Sequence, residues 1–191
     1  MGTILGDGGI RMKGRNARLH IKHSTNQLSY VEYKRRIFGS ITSMNIYVFT
    51  QKVGKTDYSF AEFVTLTHPV FTFYYRLFYP NSKKIVPKKI IDLLKDPLSL
   101  AVWIMDDGSA EFAGVSIQTH SFAKTQVNLL RKAIKHNFEI DSGARRNKGK
   151  WIIYFPKRSL PRLRLVLGKH ILSEFKYKLT PYSERKKLKT P

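Results

Sequence analysis

An apolar segment that stops at an Asp-Gly pair occurs twice in this chain, at Asp7-Gly8 and at Asp107-Gly108, one hundred positions apart. A repeat with a period of about half the chain calls for two lobes of one plan, related by an approximate two-fold axis. The hydrophobic pattern after each copy supports this. Residues 17–23 alternate, with Leu19 and Ile21 on one side and Arg18, His20 and Lys22 on the other, which predicts a strand with one basic face. Helical spacing over 28–38, with Val31, Tyr33 and Ile37 among its apolar positions, predicts a helix, and 44–53 and 58–66 alternate as two further strands. A helix near 70–77 is broken by Pro80 and Asn81, and Pro87 is placed to open a short helix through Leu94.

The second half repeats that order. The apolar run 98–105 stops at Asp106, Asp107 and Gly108, and a strand is expected over 112–120, where Val115 and Ile117 alternate with Ser116 and Gln118. Val127, Leu130, Ala133 and Ile134 predict a helix over 124–138; two strands flank the basic turn 145–150, and a last helix over 160–172 precedes a basic tail, 185–189. The expected division is therefore an N-terminal lobe, 1–95, and a C-terminal lobe, 96–191.

Charge narrows the partner. Lys and Arg number 35 against 13 Asp and Glu, a formal charge of +22, and a polyanion is the expected ligand. Nucleic acid fits best, because each phosphate neutralised releases condensed counterions. No apolar run is long enough for a membrane span, and with 42% hydrophobic and 13% aromatic residues the chain is not a disordered basic tail. The absence of cysteine excludes disulfides and cysteine-ligated zinc. No signal peptide is evident, since no basic region precedes the first apolar stretch.

The chemistry is expected where the repeated segments end. Asp7 and Asp107 are equivalent carboxylates in a chain poor in acids, and small residues such as Gly2, Gly6 and Ala101 let the preceding helices approach closely. Two such carboxylates brought together repel unless cations lie between them, and hard oxygen ligands suit Mg²⁺. Duplex DNA has a local dyad relating its strands, so a chain with two matched lobes offers equivalent groups to both.

These residues carry a family resemblance. Leu100 to Gly108, LAVWIMDDG, resembles the LAGLIDADG motif of homing endonucleases, and Met1 to Gly8, MGTILGDG, resembles a second copy lacking its first position. The chain is most similar to the monomeric, two-motif, intron-encoded members. The resemblance implies an α+β fold of two pseudo-symmetric αββαββα lobes, with saddle-shaped antiparallel sheets over double-stranded DNA and the motif helices at the lobe interface. It implies Asp7 and Asp107 as catalytic metal-binding aspartates and the carbonyls of Gly6 and Asp106 as further ligands, with Mg²⁺ as the ion and Mn²⁺ able to substitute. The carboxylate of Asp106 is expected to cap or turn rather than catalyse. KKIVP, 83–87, and YKL, 177–179, resemble segments that place one lysine near each motif, which points to Lys84 and Lys178 as catalytic.

Recognition is expected on the strand faces. Arg18, His20, Lys22, Tyr47, Thr65, Ser116, Gln118 and His120 mix donors and acceptors as base-edge reading requires, and Arg145, Arg146, Lys148 and Lys150 at a hairpin tip suit phosphate contact. The favoured activity is Mg²⁺-dependent double-strand cleavage at a long DNA site, serving intron mobility. An intron-splicing maturase acting on its own intron RNA, and a cleavage-inactive DNA-binding protein of the same fold, are the alternatives. Mitochondrion or chloroplast is the compartment that the resemblance implies, with bacterial or archaeal cytoplasm as the other settings.

Overall fold

The structure is a computed structural model that describes residues 1–42 and 45–187, with no side-chain description of 186 and 187. Along the chain run α1 (Gly2–Leu5), β1 (Gly9–Lys13), β2 (Asn16–Ser24), α2 (Leu28–Phe38), β3 (Tyr47–Val53), β4 (Thr56–Val64), α3 (Pro69–Phe78) and α4 (Ile90–Leu93). There follow α5 (Pro97–Asp107), β5 (Gly108–Ala110), β6 (Gly114–Ile117), α6 (Lys124–Phe138), β7 (Gly143–Asn147), β8 (Lys150–Pro156), α7 (Leu160–Leu167) and α8 (Tyr182–Lys187). Among the described residues the strands form two antiparallel four-stranded sheets, ordered β1-β2-β4-β3 and β5-β6-β8-β7, each with helices on it, an α+β fold. The same strand order in both sheets is the expected repeat. No described helix is long and apolar enough to cross a membrane.

Compact packing divides the chain at different points from the sequence repeat. One unit is Asp7–Asn81; the other joins Met1–Gly6 to Ser82–Pro191. The physical reason is α1, which packs on α5: a Cβ at Gly2 would lie 1.9 Å from the carbonyl oxygen of Ser99. Backbone approaches that close require glycine.

In the smaller unit, β2 alternates Ala17, Leu19, Ile21 and His23 inward, where they meet α2 and α3. Thr72 on α3 accepts from the backbone N–H of Ala17 at 2.9 Å, tying helix to sheet. The buried stripe of α2 is Tyr30, Val31 and Lys34: of the expected apolar positions Val31 is buried while Ile37 is 43% exposed, and the lysine at a core position hides the rest of the stripe from the sequence. In the larger unit, α5 is apolar on all sides, and Leu100 to Met105 are all buried. Asp96 caps it by accepting from the N–H of Leu98 at 2.9 Å. Helix α6 sits as predicted, Val127, Leu130, Ala133, Ile134 and Phe138 facing the core. Asn137 beside them donates to Ile91 and Leu94 at 2.7 and 2.8 Å, closing the end of α4.

Several boundaries differ from expectation. Strands β1 and β5, which the αββαββα resemblance implies, are not legible in the hydrophobic pattern, because five and three residues carry too little alternation until a partner strand pairs with them. The strand expected over 112–120 is only Gly114–Ile117, and the helix expected over 160–172 stops at Leu167 before a 3-10 run, Ser173–Leu179. The expected strand start at Met44 and the tail beyond residue 187 lie outside the described residues.

Candidate active site

Both motifs end in the same way. The last carbonyls of a helix have no partner within it and carry partial negative charge. At the end of α1, Lys84 Nζ donates to the carbonyls of Leu5 at 3.2 Å and Gly6 at 2.9 Å. At the end of α5, Lys178 Nζ donates to the carbonyls of Met105 at 2.5 Å and Asp106 at 3.1 Å. Each lysine thus binds the last two carbonyls before one motif aspartate. Lys178 is buried at 8% exposure and Lys84 is half-buried, so neither is a freely solvated surface charge.

The carboxylates have different surroundings. Asp107 Oδ2 accepts from the indole Nε1 of Trp103 one turn earlier on α5, at 3.1 Å. Asp7 Oδ2 lies 3.7 Å from Nδ1 of His23, a side chain almost wholly buried in β2, while Asp7 itself is half-exposed. His23 Nε2 in turn is 3.0 Å from Nζ of the fully buried Lys34. The carboxylate of Asp106 lies against the α-carbon of Gly6, where an added Cβ would come within 2.5 Å of its Oδ2. His23 and Lys34 were absent from the sequence-derived site. The readable signals were a histidine at an inward position of β2 and a lysine on the buried stripe of α2.

The recognition residues sort by strand register. Lys22 pairs opposite Glu62, and Glu62 opposite Tyr47, so Arg18, His20, Lys22 and Tyr47 share one face of the first sheet. Part of that face is self-paired: His20 contacts Glu62 at 3.0 Å, and Lys22 lies 3.8 Å from the centre of the Phe60 ring while reaching Gln51 at 3.3 Å. Thr65 does not belong to it. It is 1% exposed on the core side, and its hydroxyl accepts from the N–H of Leu19 at 3.0 Å, so it has no access to a ligand.

In the second sheet Ser116 stands opposite Tyr154, and Tyr154 opposite Gly143, which puts Ser116, Gln118 and Arg145 on one face. Ser116 is fully buried and donates to Glu111 at 2.6 Å, and Gln118 donates to Ser116 at 2.9 Å. Ser116 is therefore corrected from a reader of bases to a link in a closed polar chain. Arg145 stacks on Tyr154, its guanidinium carbon 3.2 Å from the ring centre. Arg146 points to the opposite side of β7, over Trp151 at 5.1 Å, because strand neighbours alternate. Lys148 sits in the β7–β8 turn with φ 48°, and His120, Lys148 and Lys150 are exposed.

Comparison with known proteins accords with this architecture. The profile of the LAGLIDADG DNA endonuclease family matches residues 1–163. The cytochrome b mRNA maturase bI2 of Saccharomyces cerevisiae is 27% identical over 95% of this chain, which spans only 46% of that protein. A probable intron-encoded endonuclease 1 of Wickerhamomyces canadensis is 27% identical over 94% of this chain and 81% of its own length. The solved structure of the homing endonuclease I-WcaI bound to its DNA recognition sequence superposes with a TM-score of 0.85 at 26% identity, over 94% of this chain and 83% of that one.

Proposed function

The chain belongs to the LAGLIDADG DNA endonuclease family, and on that premise we propose that it is a monomeric homing endonuclease that hydrolyses one phosphodiester bond in each strand of a long DNA site. The observation that carries this reading is the matched pair of lysine contacts, each holding the two carbonyls before one motif aspartate.

The donor set fits a hard cation. Asp7 with the carbonyl of Gly6, and Asp107 with the carbonyl of Asp106, offer only oxygen, and both carbonyls already face a cationic ammonium. Mg²⁺, or Mn²⁺ in its place, held there would supply charge neutralisation at the scissile phosphate and a more acidic attacking water. The carboxylates of Asp7 and Asp107 would hold that ion. Lys84 and Lys178 place positive charge where the pentavalent phosphate gains negative charge, and one motif serves each strand. Water loses a proton to solvent and its oxygen bonds to phosphorus, the ester P–O bond breaks, and the departing oxygen takes up a proton from solvent. Replacing Lys84 or Lys178 by Met is expected to lower the cleavage rate by about a hundredfold with little change in affinity, as read by single-turnover kinetics.

Arg18, His20, Lys22, Tyr47, Gln118, His120, Arg145, Lys148 and Lys150 form the proposed DNA contact set; Arg146 serves as a phosphate contact at the hairpin edge. With a charge of +22, affinity for the target is expected to fall by roughly a thousandfold between 50 and 200 mM salt. A fluorescence titration that finds affinity flat across that range contradicts the phosphate grip.

The deciding experiment is a Mg²⁺-dependent cleavage screen against a library of long random duplexes, with Mn²⁺ in parallel. One enriched site cut in both strands is expected; binding without cutting in either ion overturns the nuclease reading. Splicing of intron RNA is the second reading. It is favoured by the maturase relative, and a mitochondrial or chloroplast intron as the source of the gene suits both readings.

A further inference from the structure

The two motif aspartates have different side-chain neighbours from different elements, an indole that donates to Asp107 Oδ2 at 3.1 Å and an imidazole at the longer ion-pair distance of 3.7 Å from Asp7 Oδ2. Strand register fixes the correspondence. Gly9 stands opposite His20, and Ser109 opposite Ser116. Each of Gly9 and Ser109 lies two residues after its motif aspartate, so His20 corresponds to Ser116, and three residues on, His23 corresponds to Thr119. Thr119 is buried and gives its hydroxyl proton to the carbonyl of Trp151 at 2.8 Å. On the helix side the correspondence runs from Trp103 to Thr3, also buried. Asp107 therefore has an indole donor from its own helix and a threonine at the strand position. Asp7 has a threonine at the helix position and an imidazole at the strand position.

The contact with Lys34 favours one tautomer of the imidazole. A lysine ammonium only donates, so the ring nitrogen facing Lys34, Nε2 at 3.0 Å, accepts, and the ring proton of a neutral imidazole is then on Nδ1. Nδ1 is the nitrogen directed at Asp7 Oδ2, 3.7 Å away. Lys34 is itself held: it is fully buried, with its Nζ 4.5 Å from the centre of the Tyr30 ring, and that ring lies 5.2 Å from His23. A fully buried lysine in a unit of this size costs stability unless it is paired, and its pairing here leads to the half-exposed carboxylate.

We propose that His23, its tautomer set by Lys34, is the positioning residue for Asp7, doing at the first motif what Trp103 does for Asp107 at the second, so that the two half-reactions are tuned by chemically different donors. This rests on the endonuclease reading above, in which each motif serves one strand. Groups that orient a ligating side chain without touching the ion typically change activity by 10–100-fold when removed.

The test uses the full chain in Mg²⁺ on two substrates carrying the site recovered from the random-duplex screen, a linear duplex with each strand end-labelled in turn and a supercoiled plasmid. His23→Ala is expected to slow cutting of one strand by roughly tenfold or more and leave the other unchanged, so that nicked circles accumulate. His23→Asn, whose amide N–H stands where Nδ1–H stood, is expected to recover most of the rate. Trp103→Phe, which removes the indole N–H, is expected to slow the opposite strand. Should His23→Ala fail to fold, Lys34→Met decides: it removes the buried amine at similar volume, and slowing of that same strand is expected. Equal slowing of both strands by His23→Ala at unchanged melting temperature overturns the proposal, as do the same strand slowed by the His23 and Trp103 variants, or a His23→Asn chain no faster than His23→Ala. A wild-type chain that cuts no duplex overturns the endonuclease reading instead.

Discussion

An Asp107→Asn chain is expected to bind its target with nearly unchanged affinity and to produce no double-strand breaks. Asparagine keeps the size of the side chain and can still accept from the indole of Trp103, which lies 3.1 Å from Oδ2 in the native site. It removes the negative charge, and a hard divalent cation loses a first ligand that a neutral amide replaces poorly. Asp7→Asn should have the same effect at the first motif, despite the different donor that faces it. In the proposed complex, binding is carried by many Lys and Arg contacts to phosphate and does not depend on one carboxylate. Gel-shift affinity together with a plasmid cleavage assay in Mg²⁺ separates the two quantities. A variant that cuts at the wild-type rate refutes the assignment of that aspartate.

The second large effect is structural. Gly2→Ala is expected to destabilise the protein by about 1–3 kcal/mol, the usual cost of forcing extra volume into a packed contact. The added carbon would fall 1.9 Å from the carbonyl oxygen of Ser99 and 2.9 Å from the amide nitrogen of Trp103. Both are backbone atoms of α5, so no side chain can rotate away, and α1 has to move. Movement of α1 also displaces the carbonyls that Lys84 binds, so cleavage should fall with stability. Gly9→Ala is the control, because nothing lies within 4 Å of the carbon it would add. Thermal unfolding of the two variants checks this: a melting temperature for Gly2→Ala equal to that of Gly9→Ala would show that the helices are not in close contact.

Much of the architecture was legible before any coordinates. The doubled Asp-Gly segments predicted a repeat, and the sheets share one strand order. The apolar spacing of 124–138 predicted a helix whose observed ends coincide with it. These succeed because a helix or strand buried on one side writes its period into the chain. The short strands β1 and β5 left no such period, since they exist only through their pairing with β2 and β6.

The candidate site divides in the same way. The sequence by itself determined which aspartates correspond between the halves, because equivalent positions in a repeat are a matter of counting, and the family resemblance of 83–87 and 177–179 pointed to the two lysines. What surrounds each aspartate was decided by tertiary structure alone. Lys34 stands on the buried stripe of α2, where an apolar residue is the ordinary expectation, and only packing against β2 reveals that it meets His23. Thr65 and Ser116 have the chemistry of base readers, and only strand register turns one into the core and closes the other against Glu111. Side-chain chemistry is a property of the residue, whereas its partner and its access to solvent are properties of distances that exist only once the chain has closed on itself.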